Sequence, residues 1–396
     1  ILKAVLGYVD TEVHSYDELF HEINMETGGI TAVTNLFTNA KNLDECRVTF
    51  EIKAKTLEDN LAKATQLAQE IMLQSRFDDE KRLYEILAEL KSHLQSALIS
   101  AGHSVAAGRA MSYFSSPAAI QERLSGMPFY RLVDDLEKNF DSRKDELKEK
   151  LNRLVRCIFR PENLLLDYIG TREHYEEFLR LAEGVKASLF TEASQGEPFT
   201  IRPEKRNEGF LSASQVQYVC RAGNFINKGL SYTGVLRVLK VLMSYEYLWQ
   251  EVRVKGGAYG CMCTFGKSGD SYFVSYRDPN LKGTVEVYER AADFVENFDG
   301  DERTMTQYII GAVSEMDTPL NPAAKGLRSM SAFLTNQTLA DLQKERNEVL
   351  SATQDDIRAL AAHIRAFMQD DCLCVVGNEE KIREQEDMFQ HLENLY

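Results

Sequence analysis

This sequence predicts an α+β fold built twice in tandem: two homologous domains, each packing helices on a mainly antiparallel sheet. Three observations carry that expectation. A glycine doublet occurs at Gly28-Gly29 and again at Gly256-Gly257, each where a helical stretch gives way to strand-like residues. A constant shift carries the stripe Leu57, Leu61, Ala64, Ala68 and Ile71 onto Leu281, Val285, Tyr288, Ala292 and Val295, both at helical spacing. The apolar run Leu164 to Gly170 resembles Cys372 to Gly377, each legible as a buried strand closed by glycine.

In order, each half reads as a helix, the Gly-Gly turn, two strands, an amphipathic helix, a second helix opening at Asp78-Asp79 or Asp301-Glu302, further helices and a closing strand. Val48 to Ile52 and Tyr272 to Tyr276 place β-branched or aromatic residues at alternate positions, as half-buried strands require. The second half opens on a strand-like stretch, Gln215 to Arg221, before a helix from Leu230 to Trp249; the first half shows no counterpart. Ile1 already falls in the helical region before Gly28, and there is no initiator Met. The chain therefore reads as a fragment whose first domain lacks its opening strand or strands, with an unpaired sheet edge expected there. A length of 396 residues exceeds what one core usually holds. The segment Thr191 to Gly209, rich in Gly, Pro, Ser and charged residues, is the candidate join, placed near Gln195, giving domains 1–195 and 196–396.

A net charge of −15 argues against a nucleic-acid partner, and no stretch approaches the ~20 apolar residues of a membrane span. Seven scattered cysteines fit a reducing compartment rather than a disulfide framework. Cys261 with Cys263, and Cys372 with Cys374, have strand spacing and could in principle offer four thiolates to zinc; small buried residues are the plainer reading. Gly260 to Ser268 imitates a phosphate loop but has one residue too many between its glycines and no following helix, so Lys267 and Ser268 read as a hairpin tip. The seven histidines form neither HExxH nor HxxEH, and His174 beside Glu176 and Glu177 reads as a solvated helix face. The chain lacks the parts of a self-sufficient hydrolase, so no metal site is expected in it.

The second glycine doublet differs from the first in its polar neighbours. Arg253 and Tyr259 flank Gly256-Gly257, whereas Met25 and Thr31 stand at the corresponding places around Gly28-Gly29. Because the repeated scaffold does without an Arg and a Tyr there, the pair is a candidate site. The plainer alternatives are a surface ion pair of Arg253 with Glu251, a core role for Tyr259, and Trp249 as a packing anchor.

LWQEVRVKGGAYG (Leu248 to Gly260), SEMDTPLNPAAKG (Ser314 to Gly326) and LGYVDTEVHSYDELFHEINMETGGI (Leu6 to Ile30) together resemble the C-terminal half of presequence-protease-type peptidases. These are members of the insulinase, or inverted-zincin, superfamily, in subfamily C of the M16 peptidases. The resemblance spans essentially the whole chain. It implies a LuxS/MPP-like metallohydrolase fold with four similar domains in a closed chamber, this chain being the third and fourth. It also implies zinc in the full-length enzyme on an HxxEH motif absent here, an N-terminal catalytic half as partner, and short unstructured peptides as substrates. Arg253 and Tyr259 match the family's substrate-binding pair, with Gly256 and Gly257 between them. This chain alone is expected to be inactive and to bind no zinc, with no nucleic-acid or membrane partner. The bacterial cytoplasm is the expected compartment, an organellar matrix the alternative. The competing functional class is a non-catalytic scaffold or assembly subunit of the same superfamily.

Overall fold

The computed structural model describes residues 1–43, 45–192 and 200–396, so the join placed near Gln195 lies outside the described residues. The first half runs α1 (Leu2–Val5), α2 (Tyr16–Glu26), β1 (Ile30–Thr38), β2 (Cys46–Ala54), α3 (Leu61–Leu73) and α4 (Glu80–Ser100). It continues with α5 (Gly102–Met111), α6 (Ser116–Ser125), α7 (Met127–Lys138), α8 (Phe140–Ile158) and α9 (Tyr175–Ser188). The second runs β3 (Glu208–Ser212), β4 (Tyr218–Asn224), α10 (Val235–Leu242), β5 (Gly260–Phe265), β6 (Asp270–Tyr276), α11 (Lys282–Glu289) and α12 (Ala291–Glu296). Then come α13 (Glu302–Met316), α14 (Pro322–Leu334), α15 (Leu339–Leu350), α16 (Gln354–Ala359), α17 (Ala361–Met368), β7 (Cys372–Asn378), α18 (Glu379–Arg383) and β8 (His391–Asn394).

Both halves thus share one local order: a helix, a Gly-Gly turn, an antiparallel hairpin and a pair of helical stretches. The pair is α3 and α4 in the first half; in the second, a stretch broken at Arg290 into α11 and α12 is followed by α13. The second helix of each pair starts where its aspartate suggests. Asp79 accepts a hydrogen bond from the Arg82 N–H and Asp301 one from the Thr304 N–H, filling orphan donors of the first turn.

The sheets differ in extent. β1 and β2 form an antiparallel ribbon from Ile30 opposite Ala54 to Thr38 opposite Cys46. The second half holds six strands in the order β5-β6-β4-β7-β3-β8, with β3 parallel to both neighbours and the other pairs antiparallel. Leu164 to Gly170 is not a strand: it is irregular, with Leu165, Leu166 and Ile169 exposed, whereas its look-alike β7 is buried. The difference lies in partners. β7 is bonded on both sides by β4 and β3, and among the described residues of the first half only β1 and β2 make a ladder.

Three further boundaries move. Gln215 to Arg221 overlaps β4, which starts later, and β3 already begins at Glu208 inside the expected linker. The helix expected at Leu230 begins at Val235 and continues past Trp249 to Lys255. In α3 the core side is Ala64, Leu67 and Ile71, while Leu57 lies outside the helix and is 77% exposed; the matching stripe from Leu281 to Val295 is buried throughout.

The six-stranded sheet is covered on both faces. Val219, Phe273, Leu373 and Val375 face a core built with α10, α11, α12 and α17. Tyr218, Cys220, Ala222, Cys374 and Val376 face Ala106, Ala107 and Ala110 of α5, a helix of the first half. Small residues let α5 approach closely: a Cβ on Gly102 would stand 2.3 Å from the Tyr218 ring. At the edge of this contact the Arg109 guanidinium grips the buried Glu208 carboxylate with two N–H groups, and the Tyr113 hydroxyl donates to it at 2.7 Å. The two halves of the sequence share a core.

Candidate functional site around Arg253 and Tyr259

α10 is a core helix, with Leu236, Val238, Leu239 and Leu242 buried. Beyond it the backbone widens into i→i+5 turns at Met243–Tyr247 and Trp249–Lys255, a rare geometry that adds a residue per turn and recurs at functional sites. Val252 points into the core, while Trp249 and Arg253 lie toward the surface. The Arg253 guanidinium stacks over the Trp249 ring, 3.9 Å from its centroid.

The glycine doublet ends this wide helix for two separate reasons. A Cβ on Gly256 would lie 2.5 Å from the Val252 carbonyl oxygen, so the position accepts no side chain. Gly257 sits at φ +80°, left-handed backbone that glycine adopts without steric cost. Its N–H donates to the Arg253 carbonyl at 2.9 Å, and the Ala258 N–H to Val252 at 3.1 Å. In the first half Gly29 also has positive φ, +114°, but Gly28 and Gly29 exchange hydrogen bonds with Lys55 across the hairpin, and Met25 and Thr31 there are exposed. Only the second doublet caps its helix, since α2 already ends at the extended Thr27 and Gly28-Gly29 pair with Lys55 of the hairpin; the second copy differs also in its polar pair.

The chain then enters β5 with alternate faces. Ala258 is buried and Tyr259 is 65% exposed, its N–H donating to the carbonyls of Tyr276 and Arg277 at 3.1 and 3.3 Å. The Tyr259 ring meets Tyr276 edge-on at 5.9 Å, and the Arg253 guanidinium lies 5.6 Å from the Tyr259 ring centroid. Among the described residues, no protein group hydrogen-bonds the Tyr259 hydroxyl, and no carboxylate pairs with the Arg253 guanidinium. Glu251 is taken by Lys255 at 2.6 Å instead. The ion-pair and core-aromatic alternatives thus find no support in the contacts. Trp249, 41% exposed, is a platform for Arg253 rather than a buried anchor.

Three neighbours were not singled out in the sequence. Tyr276 is a hub touching Tyr259, Tyr218 at 5.6 Å and, edge-on at 4.9 Å, His103 of α5. Arg277 stacks on Tyr276 at 5.4 Å. His103 arrives from a distant part of the chain, and a left-handed arginine leaves no mark in a pattern of hydropathy. Burial holds the His103 imidazole below its ordinary value, favouring the neutral ring.

The cysteine pairs fall on opposite faces of the sheet. Cys261 and Cys263 belong to the α10 side, Cys372 and Cys374 to the α5 side, so the four thiols cannot converge on one ion. Burial pushes Cys263 and Cys372 up to about 12, against the thiolate a metal needs. No group of three or more His, Cys, Asp or Glu able to hold a metal occurs among the described residues. His174 is half-buried rather than solvated, 3.4 Å from Glu58. Lys267, at the β5–β6 hairpin tip, is bound by Glu345 at 2.6 Å, as a structural cation.

A family model described as associated with peptidase M16, subfamily C, matches residues 1–136, and one described as "PreP C-terminal domain" matches residues 207–377. Protein HypA of Clostridium perfringens is 36% identical over 395 residues, covering 100% of this chain and 40% of that protein. Presequence protease 1, chloroplastic/mitochondrial, of Arabidopsis thaliana is 26% identical over 377 residues, covering 93% of this chain and 34% of that protein. The chain thus spans less than half the length of these relatives. Among solved structures, a peptidase M16 inactive domain from Pseudomonas fluorescens superposes with a TM-score of 0.58 at 12% identity, over 95% of this chain and 86% of that one. A protease from Helicobacter pylori gives 0.58 at 13% identity, over 95% and 88%. These two likenesses establish the fold.

Proposed function

Because the chain belongs to subfamily C of the M16 peptidases, the family of the presequence proteases, we propose that it is the substrate-binding part of a larger zinc metallo-oligopeptidase, closing over short unstructured peptides. One observation carries this reading: two strong donors, the Tyr259 hydroxyl and the Arg253 guanidinium, stand side by side at the surface, held by ring contacts that occupy neither. Hydrolysis of a peptide bond pushes negative charge onto the scissile carbonyl oxygen, and fixed donors aimed at that oxygen lower the barrier. Stacking on Trp249 fixes the guanidinium without consuming an N–H, so its fork stays available to a carbonyl or an oxyanion.

This chain's own histidines and cysteines do not fit a zinc site. In this reading the metal and the catalytic base belong to an N-terminal half of the parent polypeptide, and residues 1–195 and 196–396 are the third and fourth of four similar domains. The shared order of helix, glycine doublet, hairpin and helix pair supports that division. No described helix is long and apolar enough to cross a membrane, and the expected compartment is the bacterial cytoplasm.

The test is Tyr259→Phe in the parent polypeptide. It removes one hydroxyl and keeps the ring contacts, so kcat is expected to fall ~10² to 10³-fold with thermal stability nearly unchanged. Arg253→Ala is expected to weaken turnover and peptide affinity together. Full kcat in Tyr259→Phe would overturn the donor role and leave Tyr259 a packing residue, whereas a parent polypeptide with no peptidase activity at all would leave the scaffold reading standing.

A further inference from the structure

We propose that Arg277 forms a second anion-binding position beside Tyr259, taking a carboxylate of the bound peptide, either its C-terminus or an Asp or Glu side chain. The proposal rests on the peptide-binding reading above and deepens it.

The first ground is backbone conformation. Four non-glycine residues among those described have positive φ: Asn207, Asn336, Asp371 and Arg277. Asn and Asp tolerate left-handed backbone because their short polar side chains bond locally; a long arginine at φ 49° has no such relief. Glycine would suit the turn better, so the side chain is retained against a conformational cost. Strain of this kind gathers at binding and catalytic sites.

The second ground is placement. Arg277 follows the last residue of β6, and its carbonyl accepts the Tyr259 N–H. Its exposed guanidinium lies on the Tyr276 ring, which in turn meets Tyr259. Arg253 and Arg277 are therefore linked through two tyrosine rings, Tyr259 and Tyr276. Extended peptide advances ~3.3 Å per residue, so one ligand can reach both cations.

The third ground is electrostatic. No ion pair engages Arg277 among the described residues, and the adjacent Asp278 and the Glu251 near Arg253 in sequence are committed elsewhere. Asp278 is fully buried and accepts from the Thr284 hydroxyl at 2.7 Å and the Asn280 N–H at 2.9 Å; Glu251 holds Lys255. In a chain of net charge −15, two cations without a carboxylate partner among the described residues are a local exception. A planar fork with free N–H groups is matched in shape to a carboxylate.

The test uses Trp249, the only tryptophan, whose ring carries Arg253 and so reports on this surface by fluorescence. Three nonapeptides are titrated into the chain: one without Asp or Glu and with a free C-terminus, the same peptide amidated, and the amidated peptide with one central Asn replaced by Asp. At least one carboxylate-bearing peptide is expected to bind about tenfold tighter than the amidated neutral one, against the repulsion of the acidic chain. Which one does so identifies the source of the carboxylate. Arg277→Ala should erase the preference and Arg277→Lys retain part of it. Arg277→Gly should erase it with Tm held or raised, whereas a merely structural arginine would lower Tm on removal and leave the preference. Equal binding of all three peptides to the native chain, or a preference that survives Arg277→Ala, overturns the proposal; Arg253→Ala abolishing that binding would show the wider reading intact. Failure of every peptide to bind overturns both.

Discussion

At the scale of single residues, the glycine doublet is legible in the sequence because it answers to steric rules that act locally, whereas its purpose is not. The family resemblance sets Gly256-Gly257 between two substrate-binding residues; the structure shows a helix terminator whose first glycine faces the Val252 carbonyl and whose second is left-handed. Gly256→Ala and Gly257→Ala are each expected to cost ~1–3 kcal/mol and lower Tm, the first by collision and the second by backbone strain. Both should also shift Trp249 fluorescence. Gly29→Ala, equally left-handed but remote, should lower Tm without that spectral change. Glu122 offers a second measurement at this scale. Burial raises its carboxyl to about 7, opposed by Arg109, whose guanidinium is 3.9 Å away and already committed to Glu208. Because the folded carboxyl holds its proton longer than the unfolded one, its contribution to stability is full below the ordinary carboxylate range and is lost as pH rises through about 7. Glu122→Gln removes that loss. Its Tm gain over the native chain should be larger near pH 8 than near pH 4, and a gain independent of pH would contradict the buried charge.

At the scale of elements, strands with local signals are readable and strands that depend on partners are not. Val48 to Ile52 and Tyr272 to Tyr276 lie in hairpins whose pairing is adjacent in sequence, and both form. Leu164 to Gly170 and Cys372 to Gly377 are alike in composition, yet only the latter has strands on each side to receive its backbone groups. The wide turns after α10 are equally hidden, because one extra residue per turn keeps Leu248 and Val252 apolar and buried without disturbing the pattern. α5 gives the sharpest element-level expectation. Gly102→Ala keeps helical backbone but drives a methyl into the Tyr218 ring, and should destabilise by ~1–3 kcal/mol. Arg109→Ala strips the buried Glu208 of its main counter-charge and should cost more, ~3–5 kcal/mol, read by denaturant midpoint.

At the scale of the whole molecule, the α+β class and the repeated order are readable from periodicity, while the relation between the halves is not. Periodicity reports which face of an element is apolar, not which distant element covers it. The structure lays α5 of the first half on the sheet of the second, and that contact makes a definite expectation about cutting the chain. A break engineered between residues 192 and 200 should leave the two pieces co-eluting on size exclusion and unfolding in one transition. Residues 207–396 produced alone should self-associate, because Tyr218, Cys220, Cys374 and Val376 would lose their cover. Pieces that separate freely would refute a shared core.

The sheet walled on both faces has a mechanical corollary. Interdigitated small side chains, with a forked arginine locking one margin, leave no lubricated plane along which α5 could glide or peel away from β4. The first half reaches Tyr276, and through it Tyr259, by way of the His103 ring contact. The two halves are packed as one body, and in the proposed reading any swing that admits a peptide must have its pivot somewhere other than the seam between them.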